Sequence, residues 1–379
     1  MARGSGNVLH QRFLCEMLAL PTAPFAEHFV IAHVAQFCRR RRHVTIRRDA
    51  AGNVLVRVRK GTRRIARPVC ITAHLDHPGF VADRETAKGR VRAHWRGGVP
   101  KEYFVGSRVR FFVDDAWVAG RVRSIKTVMR NGQRRVDTAS IEVGGAVPRG
   151  SIGMWDFPDA VIRGKRIYAR GCDDLAGAAA MLSAIDELAR GRRSCDAYFL
   201  FTRAEEVGFI GAIAAAKGKT IPKKCFVVAM ETSSERPQAK MGDGPILRVG
   251  DRASAFTPAV TAHCHRIARE LSATNRSFQF QRKLMDGGTC ESSAYCNLGY
   301  EATGLCVALG NYHNVDAKRK RLGPEYIDLS DYENVIKWFV ELGCAPHPYN
   351  GRDEVLQAQL VELERTYRKL LRASVNQPC

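Results

Sequence analysis

The chain has no apolar run near the roughly 20 residues a membrane-spanning helix needs. Its first residues, MARGSGNVLHQRFLCEML, hold no uninterrupted apolar core of the kind a secretory leader carries. The twelve cysteines include no CxxC pair and no ladder of close spacings, which argues against zinc ribbons and a secreted disulfide framework and implies reduced thiols. No GxGxxG or GxxxxGK loop is present, so no nucleotide cofactor is implied, and the GDG and GGT glycines read as turns. Aromatics are only 8% and do not interleave with the basic residues as they would in a single-strand-binding groove. The expectation is a soluble, cytoplasmic protein without a membrane partner.

What is present is length, apolar bulk and positive charge. At 379 residues and 45% hydrophobic content, the chain exceeds one typical domain and has ample core material. The formal charge of +22 is spread in short bursts, residues 39–42, Arg63 and Arg64, Arg134 and Arg135, and 318–321. Such a field draws polyanions non-specifically and steers acidic substrates toward a cleft, but a solvated surface explains it equally well, so no specific nucleic acid partner is expected.

Hydrophobic spacing divides the chain. Residues 1 to about 45 carry helical periodicity in Phe13, Leu14, Met17, Leu18 and then Phe29, Ile31, Val34 and Phe37. Residues 85–160 change to short alternating segments, with Asn131-Gly132 as a hairpin turn, and read as a small inserted β-barrel-like domain. Residues 1–84 and 161–345 alternate strands and helices, the pattern of an α/β domain with a mostly parallel central sheet covered by helices. Residues 346–379 read as a helical tail built on the amphipathic segment DEVLQAQLVELERTYRKLLRA.

Five side chains of metal-ligand type recur in the order His74, Asp173, Glu206, Glu231, His313, four of them directly after apolar runs that read as buried strands. In open α/β sheets the ligand crevice lies at the carboxyl ends of the strands, so residues scattered in sequence would converge there. Two imidazoles with several carboxylates point to divalent metal. Asp76, two residues after His74, can accept the other ring N–H and fix the tautomer. Glu205, beside Glu206, can handle protons while its neighbour coordinates. Each has a bland alternative: HxD is common, Asp173 and Asp174 could cap the helix that follows, and a polar residue at a strand end is usually just exposed. The case rests on their joint occurrence.

The segments AHLDHPGF, CDDLAG, EEVGFIGA, VAMETS, GDGPILRVGD and GGTCESSAY running into ATGLCVALGNYHN resemble the TET and glutamyl aminopeptidase type of co-catalytic di-metal aminopeptidases. The β insert lies between His74 and Asp173, where that family carries its extra domain, rather than between Glu231 and His313 as in the carboxypeptidase-like relatives. The resemblance implies a zinc-peptidase-like fold and an aminopeptidase holding two divalent metals, zinc foremost, with cobalt or manganese compatible with the same donors. It implies Asp173 as the bridge, His74 and Glu231 on one ion, Glu206 and His313 on the other, Glu205 as proton carrier and Asp76 behind His74. Peptide substrates and homo-oligomers, dimers through the insert or a hollow dodecamer, are implied as well. Glu231 stands where close relatives have Asp, Cys290 where they have Asp after GGT, and HNVD where they have a Ser-Pro version.

Two other classes remain open on sequence grounds: a related di-metal amidohydrolase, deacylase or carboxypeptidase acting on small N-acyl substrates, and an inactive scaffold binding nucleic acid through its basic surface. His263 and His265 are two apart in a helical stretch, so they do not easily share an ion. Cys172 and Cys290 lack any cysteine-hydrolase signature and read as packed thiols.

Overall fold

The computed structural model describes residues 3–130 and 132–375. Its centre is four strands, in spatial order Cys195–Thr202, Val69–His74, Phe226–Ser234 and Ala302–Gly310, all mutually parallel. Val69–His74 and Cys195–Thr202 are buried at every residue, and the other two nearly so. Strands this uniformly apolar cannot alternate between core and water, so the sheet must be covered on both faces. One face carries the helices Arg3–Leu18, His28–Arg39, Leu175–Arg190, Pro258–Thr274 and Leu329–Cys344 over a large apolar core. The other carries Ile210–Lys217 and Glu291–Asn297. Leu175–Arg190 is rich in alanine and buried along most of its length, which lets it lie close to the sheet.

Among the described residues, parallel pairing is confined to these four strands and to Ile246–Asp251 with Gln281–Met285. The margins are antiparallel, Val44–Arg48 with Val54–Lys60 on one side and Val161–Arg163 with Arg166–Ala169 on the other. These pairs are joined by turns of a few residues, too short for the crossover a parallel pair requires. The sheet is therefore mixed overall, with the site at the end of its parallel centre.

Six strands from Gly79–Ala87 to Ile152–Trp155 close into a barrel. Phe80, Trp95, Phe104 and Trp155 fill it with edge-to-face and tilted rings. Gly153 has no side chain because a Cβ there would sit 2.6 Å from the Phe111 ring. The barrel starts before the expected boundary at residue 85, because Phe80 and Val81 pair with Gly153 and Ile152 and close the ring. The apolar GFVA, inside the segment 1–84 expected to be α/β, thus belongs to the barrel. Ala116–Arg130 and Gln133–Val143 form the long hairpin, Arg130 opposite Gln133 and Gly132 at φ +73°; Asn131 lies outside the described residues. Only residues 75–78 separate the end of Val69–His74 from the barrel, which therefore stands directly over the carboxyl ends of the central strands.

Leu329–Cys344 is followed by the helix Glu354–Ala373, none of whose residues is buried. Among the described residues no helix is long and apolar enough to cross a membrane.

Candidate active site

His74 is the last residue of its strand, and the parallel register sets Thr202 beside it. Asp173 precedes the helix Leu175–Arg190, whose N-cap Asp174 accepts the Gly177 N–H. Glu205 and Glu206 lie on the loop after Thr202, and His313 follows Ala302–Gly310 by three residues. Glu231 lies inside Phe226–Ser234, which continues three residues past it, rather than ending the strand as the apolar run CFVVAM implied. All five expected ligands, with Glu205, meet at one end of the sheet.

Asp173 is the hub. Its Oδ1 is 3.5 Å from His74 Nε2 and its Oδ2 is 3.7 Å from His313 Nε2, so its two oxygens face two different imidazoles. Glu231 Oε2 lies 3.8 Å from His74 Nε2, Glu206 Oε2 3.0 Å from His313 Nε2, and Glu205 Oε2 4.0 Å from His74 Nε2. Ligand atoms of His74, Asp173 and Glu231 lie within 4.8 Å of one another, as do those of Asp173, Glu206 and His313. The Thr232 hydroxyl donates to Asp173 Oδ1 at 2.8 Å.

His74 Nδ1 donates to the Asp76 main-chain carbonyl at 3.0 Å, while the Asp76 carboxylate is 3.8 Å away. Both carboxylate oxygens are taken up by the N–H groups of Glu205 at 2.9 Å and Glu206 at 3.0 Å. These donors fall in a loop where no ladder satisfies them, and a buried acceptor between them fixes the loop. Asp76 therefore ties the His74 ring to the two glutamates.

His313 Nδ1 donates to the Gly98 carbonyl of the barrel at 2.8 Å, and the Tyr312 ring stacks on the imidazole at 3.8 Å between centroids. Asn311, His313 and Asn314 have φ of 55°, 52° and 64°, a left-handed run of non-glycine residues of the kind retained at functional sites. Three further residues support the hub without having stood out in the sequence. His77 Nδ1 donates to the Asp173 carbonyl at 2.8 Å, and its Nε2 is 3.1 Å from Asn314 Oδ1. Glu325 accepts the N–H groups of Cys172 at 2.6 Å and Asp173 at 3.0 Å. His77 lay inside AHLDHPGF and could have been noticed there; Glu325 and Asn314 carry no spacing signal.

The charge balance is acidic and dry. Burial pushes Glu231 up to about 8, only partly offset by His74, and drives Glu205 well above the usual carboxylate range. Asp76 is pushed up to about 7, again by burial. Asp173 is held below its ordinary value despite burial, because His74 and His313 face it. For His313 burial opposes the charge, but Glu206 and Asp173 outweigh it and raise the ring to about 10. Glu206 Oε1 and Glu231 Oε1 are buried with no hydrogen-bond partner. Unpaired buried acceptors are costly, and cations bound between them would supply the missing charge. The mixed imidazole and carboxylate donors fit divalent transition metals such as zinc, manganese or cobalt.

His263 packs against Phe226 and Tyr349 while His265 lies against Phe280, so the two do not form one site. Cys172 and Cys290 are buried, and burial raises both thiols well above their ordinary range, the opposite of nucleophile activation.

Residues 52–337 match the model of the M42 glutamyl aminopeptidase family. A protein of Acetivibrio thermocellus assigned as an aminopeptidase is 26% identical over 312 residues, 79% of this chain and 88% of its own length. Among solved structures, an aminopeptidase from the archaeon Desulfurococcus kamchatkensis is similar with a TM-score of 0.71 at 22% identity, covering 89% of this chain and 95% of its own. The TET1 peptidase of Pyrococcus horikoshii, which can assemble into a tetrahedron or a large octahedral shell, has a TM-score of 0.71 at 19% identity, covering 88% of this chain and 99% of its own.

Proposed function

Because this chain belongs to the M42 glutamyl aminopeptidase family and is a metal-dependent aminopeptidase, we propose that it works through two divalent ions, zinc foremost, gathered around Asp173. The observation that carries this reading is the Asp173 carboxylate, which presents one oxygen to the His74 side and the other to the His313 side. His74 and Glu231 would hold one ion, Glu206 and His313 the other, and Asp173 both. Bound at such a site, paired divalent ions polarise a scissile carbonyl and make an attacking water acidic.

The chain's own groups then divide the work. Glu205 shares the cleft with Asp173, Glu231, Arg248, Thr289 and Tyr312, and its main chain is pinned by Asp76. On this reading it takes a proton from water and returns it to the leaving amine. Asp76 and the Gly98 carbonyl keep both imidazoles in the orientation that leaves Nε2 free for metal. Peptides are the substrates on this reading, and the chain self-associates as its structural relatives do, with the barrel as the contact surface.

A panel of aminoacyl amides with free and N-blocked amines, assayed with and without chelator, tests the reaction. Cleavage of the free-amine compounds alone, abolished by chelator, is the expected result. Cleavage of only the blocked compounds would replace the aminopeptidase by an amidohydrolase. Elemental analysis of protein purified without chelator should find about two ions per chain; a single ion would remove the bridging role of Asp173.

A further inference from the structure

Two cavities meet at the active site and share Ser234 and Tyr312 in their walls. The smaller, about 150 Å³, is lined by Asp173, Glu205 and Glu231. The larger, about 1090 Å³, begins at His313 and at Gly98, whose carbonyl holds that ring, and extends to Tyr168 and Tyr326.

The far wall of the larger cavity is basic. Arg163 and Arg166 come from the marginal hairpin, where the register sets them directly opposite each other. Like charges in that relation repel. Their guanidinium groups lie over the Tyr168 and Tyr326 rings, 6.0 Å and 5.1 Å from the centroids. Lys318, Arg319 and Arg321 come from the small hairpin after His313, in which Val315–Asp316 pairs with Arg321–Leu322. Among the described residues, two acids line the same space, Glu235 and Asp316. Asp316 is held by Arg319 at 3.2 Å and lies 4.0 Å from Arg321, and Glu235 accepts the Met241 N–H at 2.9 Å. Asp328, across the strand pair from Arg166, accepts the Ser330 N–H at the start of the next helix. Among the described residues, Arg163, Arg166 and Lys318 form no ion pair. Five cationic side chains against two carboxylates leave the wall positive.

The difference in size orients a peptide. The space beside Glu205 and Glu231 admits one residue with its free amine, and the rest of the substrate has to leave past Ser234 and Tyr312 into the wide cavity. The residues that follow the cut then lie along the basic wall. We propose that this cavity is the subsite for the residues after the scissile bond, and that it selects peptides carrying acidic side chains there. The inference rests on the aminopeptidase reading and adds a substrate class to it, acidic beyond the first residue whatever that first residue is. One exposed ion pair contributes little, but several cations acting together on one tail give a preference of about tenfold.

The test uses C-terminally amidated tetrapeptides that share their first two residues and end in two aspartates, two serines or two lysines. The value of kcat/KM for each is divided by that for the aminoacyl amide of the same first residue. Wild type should cleave the aspartate tail about tenfold better than the serine tail and the lysine tail worst, and the gap should close as salt rises from about 0.05 M to about 0.5 M. Arg163→Glu/Arg166→Glu/Lys318→Glu should reverse the order. Arg39→Glu/Arg40→Glu/Arg42→Glu makes the same change in net charge outside both cavities and should keep the wild-type order. Arg163→Ala and Lys318→Ala, each alone, should narrow the gap by about twofold, and they read the same wall if the triple variant fails to fold. Equal cleavage of all three tails by wild type overturns the proposal, as does an equal loss of preference in both triple variants, which would assign it to the overall charge. Cleavage of the aminoacyl amide without any tail preference removes this inference alone. No cleavage of any free-amine compound would remove the aminopeptidase reading with it.

Discussion

Two buried histidine clusters in the same α/β domain differ in one respect that separates packing from chemistry. At His10, each ring nitrogen meets its own carboxylate, Nδ1 2.8 Å from Glu333 and Nε2 3.0 Å from Glu187, and the Glu187 side chain is 36% exposed. Burial disfavours the His10 charge, but the bonds to Glu187 and Glu333 outweigh it and raise the ring to about 9. At the other cluster, two imidazoles face Asp173, Glu205, Glu206 and Glu231, whose side chains are all 11% exposed or less. Here the Nδ1 atoms are spent on main-chain carbonyls and both Nε2 atoms point into the acidic group. A histidine among carboxylates is structural when each nitrogen has its own acceptor and one acid reaches water. Around Asp173 the acids lie in a dry cleft and the free ring nitrogens converge on them, an arrangement that suits a bound cation.

The largest expected effect breaks the chemistry and spares the cluster. Glu205→Gln removes the group that carries the proton while keeping its volume, so kcat should fall by about 10²–10⁴-fold with metal content unchanged by elemental analysis. Turnover within tenfold of wild type would take Glu205 out of that role. His313→Ala strikes the cluster itself: bound metal should fall toward one ion per chain and activity should drop with it. Saturating wild type with metal should raise its melting temperature, by about 2.7 kcal/mol of stabilisation at 100 times Kd, and this gain should shrink in the variant. An equal gain in both would place the second ion elsewhere.

A smaller effect sharpens the role of Asp76. Asp76→Asn leaves one acceptor oxygen for two N–H donors, so the Glu205–Glu206 loop loses one of its ties. The expected loss is about 10–100-fold in metal affinity or activity, the range for groups that orient ligands. An effect on stability alone would reduce Asp76 to a structural residue.

The contrast between the clusters was only half legible in sequence. His74, Asp173, Glu206, Glu231 and His313 stood out because four of them end apolar runs, and parallel strands deliver such residues to one edge. The six-strand insert was legible from its alternation and hairpin turn, yet its start was not. Gly79 to Ala82 are as apolar as the strand before them, and only pairing with Ile152 and Gly153 assigns them to the barrel. Asp76 stood out beside His74, but spacing cannot tell whether its carboxylate or its carbonyl meets the ring, and it is the carbonyl that does. Glu325 and Asn314 were invisible because they act on the main chain of Cys172, Asp173 and Arg170, and a backbone donor or acceptor leaves no mark in sequence. His10 escaped for a related reason: its partners are 177 and 323 positions away in sequence, and only the packing of Arg3–Leu18 on Leu175–Arg190 and Leu329–Cys344 brings them together.

The smallest effect is predicted for that cluster, and it completes the comparison. The folded value of His10 lies above the ordinary imidazole value of 6.5, so the charged ring stabilises the fold fully below about pH 6.5. That stabilisation drains away as pH rises through about 9. His10→Gln should therefore lower unfolding stability by about 1–3 kcal/mol at pH 6, the cost of leaving a buried carboxylate without its donor. The gap to wild type, followed by denaturant unfolding, should narrow between pH 6.5 and 9. Metal content and turnover should not move, because the ring touches Glu187 and Glu333 rather than any residue at the carboxyl ends of the central strands. A gap that widens with pH, or loss of metal in this variant, would show that the two clusters are coupled through Leu175–Arg190, the helix that holds Glu187 near one end and follows Asp173 at the other.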